Sequence, residues 1–203
     1  MGMGQSGHRS GRMLGVGALA LVGCLGQQEI QGQAEVLGVA DVREQFEQMA
    51  RPGGFWATSN AEYATPESGE PNEYRMAFTL TSDGHSISGC MWGSPTPEGA
   101  SPFWFFFHAW DPTTNSVLAY QSSPSGAVAI GREIRAADGG MESIQDLKFP
   151  GGENQRVRHL NRRVHPDTLA SRSFDGSSTS EDEWEPRRSY TWIWRASQES
   201  NPC

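Results

Sequence analysis

Short strand-like segments, separated by turn signals at near-regular intervals, fill this sequence from Gly54 onward. In residues 73–81, for example, apolar and polar side chains alternate, which is the pattern of a strand with one buried face. The connections have hairpin composition, so the sequence predicts an all-β, up-and-down antiparallel barrel of about ten strands, whose closure leaves no exposed edge. A β-sandwich is the alternative, but it needs a long crossover for which the sequence offers no linker. The predicted strands begin at Gly54 and continue over 73–81, 85–92, 102–111, 117–121, 127–134, 141–149, 156–164, 168–174 and 188–195.

The most apolar of these segments is residues 102–111, in which six of ten side chains are large aromatics. A proline opens the segment, and Asp111-Pro112 signals a turn at its end. The run is too short to span a membrane, and aromatic rings lose rotamer freedom on a helix. We therefore expect a strand with one face in the core and the other face covered, around which neighbouring strands pack.

One helix is expected ahead of the strands, over residues 39–50. Val42, Phe46 and Met49 fall on one helical stripe, and Asp41 has the position of an acidic cap at the helix start. A Pro-Gly-Gly sequence follows and ends the helix. The apolar stripe predicts a packing face that could close one end of a barrel.

Composition sets the number of domains and excludes one class of partner. A chain of 203 residues with 36% hydrophobic residues can build one substantial core, so we expect a single barrel domain over residues 39–203. The net charge is −8. Because phosphates require a basic surface, this charge argues against a nucleic-acid partner.

The first 23 residues have the layout of a signal peptide. Arg9 and Arg12 precede an apolar run that is too short for a permanent membrane span. The run ends in Gly23-Cys24, which resembles the bacterial lipobox, where the cysteine is lipidated and becomes the mature N-terminus. We therefore expect a lipoprotein anchored through Cys24.

The residues after Cys24 bear on the cellular localisation of the protein. Residues 24–38 are rich in Gln and Gly and predict a flexible tether between lipid and domain. Leu25, and not the aspartate that favours inner-membrane retention in enterobacterial lipoproteins, follows the cysteine. We therefore expect the protein to be anchored in the outer membrane, with its domain facing the periplasm. The alternative is a secreted protein cleaved after Gly32-Gln33-Ala34, with Cys24 discarded.

Lipidation of Cys24 leaves two cysteines, Cys90 and Cys203. An even pair in an oxidising compartment predicts a disulfide, which would tie the polar C-terminal tail to a strand. The alternative is two unpaired thiols, with Cys90 a small buried strand residue.

The segment Gly54-Phe55-Trp56 at the first strand, with Arg195 on the last, resembles the Gly-x-Trp signature of calycin barrels. This superfamily comprises the lipocalins, the fatty-acid-binding proteins and the nitrobindin-like haem barrels, and the resemblance covers residues 54–196. It implies a barrel around a small ligand, with Arg195 packed over Trp56. The nitrobindin-like members imply a haem ligand late in the chain, here His159 or His165, although a lone strand histidine is more often only hydrogen-bonded.

We predict from these features that the domain binds a small apolar molecule such as a lipid or a fatty acid. Among the basic residues of 156–163, Arg158 could pair with a ligand carboxylate, or it could pair with acidic residues on neighbouring strands. The predicted wall residues are Phe105, Phe107, Tyr120 and Trp192.

The alternatives are a structural or interaction barrel filled with side chains, a haem protein, and an enzyme that uses the barrel cavity. No Gly-x-Ser-x-Gly, phosphate-loop or His-Glu-x-x-His motif is present, and no histidine pair has zinc-ligand spacing. The acidic run at 181–185 lies among serines, so we interpret it as a solvated loop.

Overall fold

The computed structural model describes residues 37–94, 102–152, 154–176, 183–198 and 202–203. The predicted signal peptide, Cys24 and the tether as far as residue 36 lie outside the described residues, as do residues 181 and 182 of the acidic run at 181–185. Within the described ranges, no helix combines the length and the apolar composition needed to cross a membrane.

Ten antiparallel strands form one closed barrel. Each strand pairs with its neighbours in sequence, and the last strand pairs with the first, so the predicted up-and-down topology is confirmed. The strands are β1 (Gly54–Ser59), β2 (Glu73–Leu80), β3 (Ser86–Ser94), β4 (Trp104–Asp111), β5 (Ser116–Ser122), β6 (Val128–Arg135), β7 (Met141–Lys148), β8 (Asn154–His165), β9 (Thr168–Gly176) and β10 (Trp184–Ala196).

The predicted helix is also present, as α1 (Val39–Met49). Its stripe packs into the main core, since Val42 and Phe46 are fully buried there. The helix begins at Val39, as predicted, but Asp41 is not its cap: Gly38 is the N-cap, and its N–H donates to Asp41 Oδ2 at 3.0 Å. The acidic residue therefore lies in the first turn, where a negative charge is favourable.

Ion pairs attach α1 to one end of the barrel. Asp41 pairs with Arg135 on β6 at 2.9 Å, and Glu44 pairs with Arg163 on β8 at 2.7 Å. The hydrogen bond from Gly38, together with Arg135, lowers the pKa of Asp41 below its usual value. The helix thus covers the barrel end at which β6 finishes and β8 turns into β9.

The aromatic strand β4 divides its side chains between the interior and the outer surface. Phe106 faces inward and packs on Phe78 of β2, with ring centroids 5.5 Å apart. Phe105 and Phe107 face outward and are each 41% exposed. The expectation that both faces would be covered is therefore wrong, because the barrel is a single closed sheet and only its inner face meets other strands.

A second apolar cluster lies on the outer face of β1, β2 and β3. Phe55 and Trp92 meet edge to face in this cluster, with centroids 5.9 Å apart. Cys90 belongs to the same cluster and is bonded to Cys203, with their Cα atoms 5.5 Å apart. The structure thus contains the predicted disulfide.

The signature residues are placed differently from the calycin pattern. Trp56 is fully buried, and its Nε1 donates to the Met49 carbonyl at 3.1 Å, which joins β1 to the end of α1. Arg195 pairs in register with Phe55 and therefore lies on the opposite face of the sheet from Trp56. The prediction that Arg195 packs over Trp56 is therefore wrong. Arg195 instead forms an ion pair with Glu73 at 2.8 Å.

Candidate ligand-binding cavity

A cavity of about 600 Å³ runs through the barrel. At one end it is lined by Leu37 and Met49, next to and within α1, and at the other end by Glu70 and Phe149. Its volume lies within the roughly 300–1,000 Å³ typical of small-molecule sites. The barrel interior therefore has room for a ligand.

One side of the cavity is apolar and largely aromatic. Trp192 of β10, a predicted wall residue, does line it; the side chain is 5% exposed, and its Nε1 donates to Ser171 Oγ at 2.9 Å. The indole nitrogen is thus satisfied by the protein, and the ring contributes an apolar surface. The other apolar lining residues on this side are Met76, Phe78, Met91 and Phe106.

The opposite side of the cavity carries a row of polar side chains. Glu133, Ser143 and His159 pair in register across β6, β7 and β8, and Ser173 on β9 continues the same row. Side chains directly opposite each other on adjacent strands have Cβ atoms about 4.5–5.5 Å apart, so this row forms one continuous polar strip. All four residues line the cavity.

A chain of amides extends beside this strip. Trp104 Nε1 donates to Gln121 Oε1, and Gln121 Nε2 donates to Gln145 Oε1 at 3.0 Å. Gln145 Nε2 then donates to Ser143 Oγ at 3.2 Å. These buried polar groups satisfy one another, as buried polar groups require.

His108 and Glu133 are less well satisfied. His108 Nδ1 lies 3.1 Å from Glu133 Oε1, and both side chains are nearly buried, at 7% and 5% exposure. The contact is short enough for an ion pair, but the ring is not aligned for a hydrogen bond. Among the described residues, the buried Nε2 of His108 also has no hydrogen-bond partner. A buried ring nitrogen without a partner beside a carboxylate makes this part of the cavity a candidate position for a ligand contact.

His159 is held in its neutral form. Burial is the main reason that the pKa of His159 is lowered to about 4; the carboxylate of Glu133 opposes the shift, and Arg187 and His108 add to it. At neutral pH the ring is therefore an uncharged hydrogen-bonding group facing the cavity.

A network of polar side chains closes around the cavity at the end opposite α1. Arg188 binds both carboxylate oxygens of Glu70, at 2.6 and 2.9 Å, and Tyr74 donates to Glu70 at 2.9 Å. Arg188 lowers the pKa of Glu70 to about 2, while burial and Glu70 raise the pKa of Tyr74 to about 12. The charges of this network are matched within the protein.

Three predicted wall residues lie outside the cavity. Phe105, Phe107 and Tyr120 are 41%, 41% and 37% exposed, and none lines the cavity. The predicted inward face of β4 and β5 is therefore wrong. The residues of β4 that line the cavity are instead Trp104, Phe106 and His108.

Arg158 is also directed away from the cavity. Its Nε donates to Glu142 of β7 at 2.8 Å, and its guanidinium lies 5.7 Å from the ring centroid of Phe174. The side chain thus pairs with an acidic residue on a neighbouring strand, which was the alternative interpretation of this basic strand. Arg158 therefore does not lie where it could pair with the carboxylate of a ligand in the cavity.

The haem implied by the calycin resemblance fits these residues in one respect. His159 lines the cavity and is neutral, as an iron ligand must be. The propionates of a haem would need basic partners, but four of the six arginines that line the cavity are already paired with a carboxylate. These pairs are Arg135–Asp41, Arg163–Glu44, Arg187–Asp175 and Arg188–Glu70. His159 alone does not make the cavity a haem site, and across the described residues no group of three or more His, Cys, Asp or Glu side chains is placed to hold a metal ion.

In comparisons with known proteins, no family model and no curated protein matched this chain. The closed antiparallel barrel of ten strands with one short helix is compatible with a calycin-like fold. The function must accordingly be argued from the cavity itself.

Proposed function

We propose that this barrel binds a small, largely apolar molecule that carries one polar group. The observation that carries the proposal is the cavity of about 600 Å³, which is apolar and aromatic on one side and polar along β6, β7 and β8 on the other. A structural barrel filled with side chains would leave no space of this size. The apolar side would bury most of the ligand, and the polar strip would fix its orientation.

Filling the cavity should abolish this binding. Ala129 of β6 lines the cavity and is 3% exposed, so Ala129→Phe places a ring inside it. We expect affinity for the neutral, apolar fluorophore Nile red to fall by about tenfold or more, because the added ring occupies ligand volume. The measurement is a fluorescence titration of the full chain carrying Cys24→Ser, with thermal unfolding recorded to confirm that the variant is folded.

The matched control is the next residue of the same strand. Ile130 points outward and is 44% exposed, so Ile130→Phe adds the same ring to the outer surface. This variant should bind Nile red as the parent does. Equal binding by parent and both variants would contradict the cavity as the binding site.

We also propose that the domain is anchored to a membrane by lipid on Cys24 and faces the periplasm. The lipobox-like end of the leader supports this proposal. The bond between Cys90 and Cys203 agrees with it, since disulfides persist in oxidising compartments.

The variant Cys24→Ser should move the protein from the membrane fraction to the soluble fraction, because the acyl chains would supply its membrane affinity. Fractionation and labelling with palmitate measure the change. Cys90→Ser serves as the control, since it removes a cysteine without touching the lipidation site and should leave the protein in the membrane fraction. Palmitate label retained on the Cys24→Ser protein would refute the assignment.

A further inference from the structure

Of the four carboxylates in the described cavity lining, Asp41, Glu44, Glu70 and Glu133, only Glu133 lacks an arginine partner. Its side chain is 5% exposed, and its close contact is the imidazole of His108, which is not aligned for a hydrogen bond. A buried carboxylate is strongly unfavourable unless it is paired and hydrogen-bonded. A ligand group that supplies the missing positive charge and N–H donors would therefore bind here with a large electrostatic gain.

The other charged and titratable groups that face Glu133 do not supply that charge. His159 on β8 is neutral at neutral pH. Arg187 on β10 is matched by Asp175 of β9 at 3.5 Å, and Arg135, further along β6 itself, is matched by Asp41 of α1. Glu133 is thus the one carboxylate of the polar strip, and no arginine among the described residues forms an ion pair with it.

This charge distribution disfavours a fatty-acid head group. The carboxylate of a fatty acid would be repelled by Glu133, and four of the six arginines of the cavity lining are already held in ion pairs. The other two, Arg162 and Arg172, are exposed to solvent, where an ion pair contributes little. Arg158, the arginine that the sequence suggested for this role, lies outside the cavity and is paired with Glu142.

The aromatic side of the cavity also favours a positively charged ligand group. Phe106 contacts His108 edge to face, with centroids 6.4 Å apart, and packs on Phe78. Across the cavity, Tyr190 and Trp192 form a second aromatic pair at 5.8 Å. Aromatic faces attract cations, most strongly where water is excluded.

We propose that the ligand is a hydrophobic amine whose ammonium group pairs with Glu133. This inference rests on the binding function proposed above. An ammonium carries several N–H donors: one binds the Glu133 carboxylate, and a second binds His108 Nε2, which accepts when the ring is neutral and Nδ1–H faces Glu133. The apolar part of the molecule then lies along Met76, Phe78 and Trp192.

The test compares three ligands that share one chain and differ in their head group. Decylamine, decanol and decanoate, each below its micellar concentration, compete with Nile red for the full chain carrying Cys24→Ser. We expect the amine to bind about tenfold or more tightly than the alcohol, and the acid to bind most weakly. The ranking in the protein with Glu133 intact does not depend on the folding of any further variant.

Two substitutions locate the source of the preference. Glu133→Gln should remove the preference for the amine over the alcohol while decanol still binds. Glu142→Gln changes a carboxylate that pairs with Arg158 outside the cavity, and it should leave the preference unchanged. Equal binding of the three ligands, tightest binding of decanoate, or an amine preference that persists in Glu133→Gln would overturn the inference while leaving cavity binding in place. If Nile red itself does not bind, the proposed function fails.

Discussion

Replacing Cys203 by serine is expected to lower the free energy of unfolding by about 4 kcal/mol. The bond joins residues separated by 113 positions, and closing so long a loop removes much conformational entropy from the unfolded chain. The loss would also expose part of the outer cluster that contains Cys90 and Trp92. Urea denaturation of the parent and the variant gives the difference directly.

A reducing agent provides the control for this prediction. Reductant should lower the denaturation midpoint of the parent toward that of Cys203→Ser, and it should leave the variant unchanged. A parent protein whose midpoint is the same with and without reductant would contradict a stabilising role for the bond.

Trp56→Ala is expected to destabilise the barrel by about 3–5 kcal/mol. Trp56 is fully buried, and its removal leaves a large cavity where β1 meets α1. The substitution also leaves the Met49 carbonyl without its indole donor. Thermal and urea unfolding would measure the loss.

Two further variants separate the causes. Trp56→Phe keeps much of the buried ring and loses the hydrogen bond, so we expect a smaller loss, about 1–2 kcal/mol. Arg195→Ala removes the other signature residue, whose side chain is half exposed and paired with Glu73, and should cost less than about 1 kcal/mol. A loss at Arg195 as large as that at Trp56 would contradict the placement of these residues on opposite faces.

Local patterns predicted the barrel well because the information needed was local. The alternation in β2 and the turn residues between strands specify hairpins, and consecutive hairpins specify an up-and-down sheet. The stripe of Val42 and Phe46 likewise predicted α1 and its packing face.

The inward face of β4 could not be predicted because its aromatic residues do not alternate with polar ones. Phe105, Phe106 and Phe107 are consecutive, so hydrophobicity does not indicate which alternate residues of the strand face inward. His108, as the polar residue, would be assigned to the outside, yet it is buried in the cavity wall.

The polar strip was missed for a related reason. Sequence reasoning places apolar residues inside, whereas a cavity wall can carry small and polar residues on the inner face. The sequence of β6 does contain a signal. Glu133 lies on the same face of this strand as Ala129 and Gly131, whereas Ile130 and Ile134 lie on the opposite face. In most barrels the apolar residues of a strand face inward and the charged ones face outward. In β6 the two isoleucines are exposed and the glutamate is buried, and this reversal indicates a polar interior.

The disulfide has a mechanical consequence for the barrel seam. The barrel closes where β10 pairs with β1, and this is the contact between the most distant strands in the sequence. The chain leaves β10 at Ala196 and is bonded at Cys203 to Cys90 of β3, on the far side of β1 and β2. If β10 unzipped, it would therefore remain tethered to the sheet it had left, which favours its return over strand exchange with a second molecule.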